Sequence, residues 1–162
     1  SQFIVPILFM NYGDDKDELI VYWAQVAISI TFISHGLFAA GYYPQPGGFA
    51  DMMIVGFGLE ENFARLLLII IGWLDFIFGA ILLIPFNALK NKWLKVVFIT
   101  FLWYGIIWGL LTAMARFYVP FRQDLFWSNL TQDLHEVLIR APHFMVPLFI
   151  WLVWRRKRLI KV

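Results

Sequence analysis

The sequence predicts an all-α membrane protein: a bundle of four transmembrane helices, both termini cytoplasmic, with a short outer interfacial helix after the first span. Three observations carry that prediction. Hydrophobic residues make up 61% of the 162 residues and charged residues only 15%, against roughly 45–50% and 25% in soluble domains. The apolar residues fall into four blocks, each near the ~20 residues needed to cross a bilayer. The basic residues collect on one side of the alternation that these blocks impose.

Taken in order, Ser1 to Met10 is apolar but has no basic start and no small-residue cleavage site, so a short interfacial segment is expected rather than a signal peptide. Span one covers residues 19–41. The acidic run Asp14, Asp15, Asp17 and Glu18 precedes it and suits the positive end of a helix dipole. The stretch Tyr42-Tyr43-Pro44-Gln45-Pro46-Gly47-Gly48 ends it, because proline cannot continue a helix and glycine favours turns. The segment from Phe49 to Phe57 predicts a short helix that caps the bundle or lies in the membrane surface. Spans two, three and four cover residues 62–85, 93–118 and 133–154. No internal repeat is evident, and residues 1–162 read as a single domain.

Orientation follows from charge. With the C-terminus inside, the cytoplasmic side holds Lys16, Lys90, Lys92, Lys95, Arg155, Arg156, Lys157, Arg158 and Lys161. The other side holds Arg65, Arg116, Arg122 and Arg140. Nine against four, with every lysine inside, predicts cytoplasmic termini. The tail Arg155 to Arg158 directly follows an apolar span and reads as a topology anchor, so no nucleic-acid partner is expected; the partners expected are the lipid bilayer and other subunits of a membrane complex. Asn129-Leu130-Thr131 matches a glycosylation sequon, a motif too short to carry weight. The absence of cysteine removes disulfides, thiol catalysis, iron–sulfur clusters and cysteine–zinc sites.

Ionisable groups within a span cost about 2.5–3.5 kcal/mol each at mid-depth, so each requires a reason. Asp75 lies near the middle of span two, with Gly72 and Gly79 on its face and Arg65 one heptad beyond Gly72. Span three carries Gly105, Gly109, Thr112 and Arg116 along one line, and span four carries Glu136, Arg140 and His143 along another. Span one places His35 near its outer end, with Thr31 one turn below. All but the deeper Asp75 fall in the outer half, which predicts one polar cavity lined by all four helices. Asp75 is expected to be neutral or paired, with Arg65, Arg116 and His35 as the available partners. Each residue also has a purely structural account: an i,i+4 ion pair for Glu136 and Arg140, snorkelling for Arg65 and Arg116, and interhelical hydrogen bonds for His35 and His143.

Three chemistries suit such a cavity. A quinone would be hydrogen-bonded by histidine and arginine, with Asp75 and His35 acting on it and an aromatic slot formed by Trp73, Trp103, Tyr104 and Trp108. Arg65, Arg116, Glu136, Arg140 and His143 complete the candidate binding set. Haem held by His35 and His143 is a weaker candidate, since two histidines are the minimum and no c-type attachment motif exists. A non-catalytic structural or assembly subunit is the third. No metal site is predicted: His135 and His143 are eight residues apart and do not form an adjacent ligand pair.

His35-Gly36 at the end of span one, the glycine-rich loop after it, and Gly72-Trp73-Leu74-Asp75-Phe76-Ile77-Phe78-Gly79 with its aliphatic continuation to Pro85 resemble the DoxX-like membrane proteins. That group includes the membrane subunit of thiosulfate:quinone oxidoreductase. The resemblance extends over residues 19–154 in layout. Many members place Glu where this chain has Asp75, and a shorter acid must sit closer to its partner. The resemblance implies a four-helix fold, a bacterial inner-membrane location and a quinone-binding subunit of an electron-transfer complex.

Overall fold

A computed structural model of the chain describes residues 17–85, 88–118, 134–135 and 137–160. Five helices follow in order: α1 (Asp17–Ala39), α2 (Gly47–Phe57), α3 (Glu61–Leu82), α4 (Lys92–Tyr118) and α5 (Pro142–Ile160). Among the described residues there is no strand. Four segments, Glu18–Ala39, Glu61–Leu82, Lys92–Ala115 and Val137–Arg156, are helices long and apolar enough to cross a membrane. The chain is an integral membrane protein by that measure. The N-terminal segment Ser1 to Met10 and the sequon at Asn129 lie outside the described residues.

Local chemistry sets the ends. Gly41 follows α1 at φ +81 and Gly58 follows α2 at φ +65, a backbone region that side chains with a Cβ rarely adopt. The amide of Gln45 turns back to donate to the Ala39 carbonyl at 2.7 Å, occupying one of the acceptors that every helix C-terminus leaves open. Asn91 caps α4 through its side-chain oxygen, which accepts from the Trp93 backbone N–H at 2.9 Å. Two helix C-termini depart most from those expected. α3 stops at Leu82, three residues before Pro85, because a proline disfavours helical geometry in the residue before it. α5 continues to Ile160, so Arg155 and Arg156 extend the helix rather than follow it, in keeping with the good helix propensity of arginine and lysine.

The four long helices form a closed ring in which each touches two neighbours: α1 packs on α3 and α5, and α4 packs on α3 and α5. Neighbours run antiparallel, as paired positions show: Gly36 faces Gly72, while lower on α1 Ile33 faces Gly79. Glycines bring the backbones together. A Cβ on Gly72 would collide with the backbone N of Ala40 and lie 2.9 Å from its Cα. A Cβ on Gly109 would lie 2.8 Å from the carbonyl of His143. That carbonyl lacks its usual i+4 donor because Pro147, inside α5, has no N–H.

A main core between the helices centres on Ile28, Phe32, Phe78, Phe98, Leu102 and Ile150. At the base of the bundle the buried Gln25 donates to the Ile84 carbonyl at 3.2 Å, tying α1 to the end of α3. A second cluster joins α2 to α3 through Ala50, Met53, Ala64, Leu68 and Ile71. α2 therefore caps one end of the bundle. Opposite the core, Leu66, Ile70, Trp73 and Ile77 form an exposed stripe on α3 at helical spacing. In a membrane protein such a stripe meets lipid rather than water.

Candidate functional site

Beneath α2 lies a cavity of about 100 Å³, to which all five helical segments contribute side chains. That is room for several water molecules or one small ring. His35 comes from the last turn but one of α1, Asp75 from α3, Trp108 and Thr112 from α4, and His143 from α5, with Arg140 on the helical turn leading into it. α2 supplies an apolar roof that includes Phe49, Met52 and Met53.

The polar groups are organised rather than scattered. Asp75 is 3% exposed and His143 is 8% exposed. The hydroxyl of Tyr104 donates to Oδ1 of Asp75 at 2.8 Å. His143 Nδ1 lies 3.0 Å from the Arg140 carbonyl, and since a carbonyl only accepts, Nδ1 carries the proton. In a neutral His143, Nε2 is then an acceptor. It lies 3.4 Å from Nε2 of His35, which makes His35 the donor. The cavity floor thus holds one imidazole that gives a hydrogen bond beside another that receives one. The Phe32 ring packs near His143 and the Phe49 ring near His35, with centroids 6.3 Å and 6.4 Å away.

Of the residues singled out from the sequence, His35, Asp75, Trp108, Arg140 and His143 line the cavity together. Tyr104 stands behind Asp75 as its hydrogen-bond donor, a phenol that was not among the partners expected for the acid. Arg65 is not in the cavity wall. It pairs with Glu61 at 2.7 Å and reaches Gln45 at 3.4 Å on the exposed end of α3. Trp73 is also elsewhere, 61% exposed on the lipid-facing stripe and packed on Phe76. The reason is angular: at about 100° per residue Trp73 sits about 200° from Asp75, and Arg65 about 80° from it. Glu136 and the side chain of Arg116 lie outside the described residues. The α2 roof was foreseen only as a capping helix, because periodicity does not say which side chains of so short a helix turn inward. Among the described residues no three His, Asp or Glu side chains gather as a metal-ligand set.

An integral membrane four-helix bundle enclosing a histidine- and carboxylate-bearing cavity under a capping helix is the class that fold and site define. A family profile, that of the DoxX-like family, matches residues 29–125. The chain belongs to the DoxX-like family. The match spans His35, Asp75, Tyr104 and Trp108 but ends before Arg140 and His143. Neither the curated proteins nor the solved structures gave a match.

Proposed function

We propose that the cavity binds a quinone head-group and that the protein is a membrane subunit of an electron-transfer complex, set in a bacterial inner membrane with both termini cytoplasmic and α2 on the outer side. The observation that carries the reading is the His35–His143 pair at the floor of an aromatic-lined cavity that also holds Asp75. A quinone needs donors for its carbonyl oxygens, and its reduced form needs acceptors for its hydroxyls. A ligand carbonyl accepts from Nε2–H of His35 in place of the His143 nitrogen. A ligand hydroxyl donates to Nε2 of His143 in place of His35. Either redox form therefore finds a partner without a net loss of hydrogen bonds.

A bound quinone supplies the capacity to take up two electrons and two protons. The chain's own residues supply the rest. Asp75 is the carboxyl that holds or passes a proton at the cavity wall, and Tyr104 fixes its orientation. Arg140 brings positive charge to the same space, and Trp108 with the α2 residues excludes water from it. Haem suits the site less well, because a cavity of about 100 Å³ holds one small ring and not a macrocycle.

The test is purification from native membranes in mild detergent, followed by mass spectrometry of lipids and associated proteins, for the wild type and for Asp75→Asn. Quinone bound in near-stoichiometric amount with redox subunits, and quinone-linked activity lost in Asp75→Asn despite normal insertion, is the expected result. Unchanged activity and quinone content in the variant would sink the proposal. Non-redox partners and no quinone would instead favour a structural or assembly subunit.

A further inference from the structure

The buried lining of the cavity mixes polar and apolar side chains, with Asp75 and His143 among Ala39, Met53, Leu68 and Ile71. Asp75 and His143 are buried at its floor, and His35 is half-buried beside them. Among its described lining residues only Phe57, at the end of α2, and Leu111, on α4, are exposed, at 66% and 52%. A residue that both lines a cavity and faces outward sits on its rim. The rim described by these two residues is wholly apolar. It opens onto an equally apolar flank, since Ile107, Leu110 and Met114 are exposed around Leu111 on α4. Leu111 lies inside the membrane-crossing stretch Lys92–Ala115, a turn from its end. A mouth at that depth, bordered by such side chains, faces hydrocarbon.

We propose that the cavity is reached sideways from the bilayer, through a mouth between Phe57 and Leu111, and that its ligand is an amphiphile whose apolar tail lies across that mouth. The tail follows from size: about 100 Å³ holds a ring but no long chain, so anything attached to the ring must leave through the rim. Desolvating a chain against Phe57 and Leu111 is favourable, whereas neither of these two side chains offers a water-soluble ligand a polar group. The mouth is independent of the ligand's identity; the tail rests on the quinone reading above.

The chain has no cysteine, so single cysteines report without background. Met52→Cys places a thiol within the cavity lining, and Asp51→Cys places one on the exposed side of the same helix. Both are reconstituted in liposomes and treated with a lipid-soluble maleimide or a charged, membrane-impermeant one. The charged reagent is expected to react at position 52 slower by about tenfold or more, because charge is excluded from hydrocarbon, with no such preference at position 51. Adding Leu111→Trp slows lipid-soluble labelling of position 52 several-fold, and adding Phe57→Ala speeds it. Equal reaction of both reagents at position 52, or indifference to both rim variants, would overturn the lateral mouth. Long-tailed quinone is expected to protect position 52 better than a ring-only analogue, and equal protection would overturn the tail. If neither quinone protects while the labelling pattern holds, the quinone reading and the tail fall together and the mouth stands.

Discussion

Asp75 and Tyr104 meet across α3 and α4 at 2.8 Å, and the strength of that bond decides how each substitution should behave. Interhelical hydrogen bonds in membranes average about 0.6 kcal/mol and reach about 1.7, less than burial alone suggests, because the separated helices also find partners. Tyr104→Phe removes the donor and leaves the buried carboxyl short of one bond, so a loss of about 1–1.5 kcal/mol is expected in reversible unfolding by denaturing detergent. Asp75→Asn keeps an acceptor oxygen for the same hydroxyl and is expected to cost less than about 0.5 kcal/mol, although it abolishes the acid. Asp75→Ala removes the acceptor itself, so the Tyr104→Phe/Asp75→Ala double variant should be less destabilised than the sum of its two singles, and strict additivity there would show that the bond contributes nothing. That Asp75 would need a partner was legible in the sequence, since a deep carboxyl always needs one. Which partner was not. Tyr104 is an ordinary span aromatic until the register of α3 against α4 places its hydroxyl on the acid. Arg65 and Trp73 were misplaced for a related reason: polarity and aromaticity mark residues suited to a site, but only angular position decides whether they reach it.

At the scale of whole helices, the glycines decide how closely the ring can close. Gly72→Ala puts a methyl group into the backbone at Ala40, just past the end of α1, where no flexible side chain can yield. Overpacking of this kind costs about 1–3 kcal/mol, and the lowered midpoint in thermal unfolding should be plain. Gly47→Ala is the control: a Cβ there meets only Asp51 Oδ2, at 3.9 Å, and the unfolding midpoint should be unchanged within error. Gly109→Ala is different in kind. It presses on the backbone of His143 itself, so ligand binding should fall by more than stability does, as ligand titration beside thermal unfolding would show. A proportional fall in both would mean that Gly109 serves only as a spacer. The existence of the long helices was legible because each is a long apolar run. The capping role of α2 was legible only in part. Its buried residues Ala50 and Met53 are no more apolar than its exposed Val55 and Phe57, so its inward face is set by contact with α3 and α4 rather than by its own pattern.

Over the whole molecule the antiparallel ring sends its basic residues to two ends in unequal number. Arg65 and Arg140 lie at the end capped by α2, whereas Lys90, Lys92, Lys95, Arg155 and Arg156 lie at the other. If the positive-inside rule governs this chain, the lysine-bearing end faces the cytoplasm and α2 faces out. A cysteine at exposed Asp51 should then react with an impermeant reagent in intact spheroplasts, and one at exposed Lys92 only after permeabilisation; the reverse pattern would refute the orientation. Charge redundancy gives a sharper expectation. Replacing Lys90, Lys92 and Lys95 by Gln should leave the topology unchanged, because Arg155, Arg156, Lys157, Arg158 and Lys161 remain on that side. With Lys16, six basic residues still exceed the four arginines opposite. Neutralising the tail as well leaves Lys16 alone against those four, and a measurable fraction of inverted chains should result. Inversion by the loop substitutions alone would show that the short turn between α3 and α4, rather than the summed charge, holds the bundle in place.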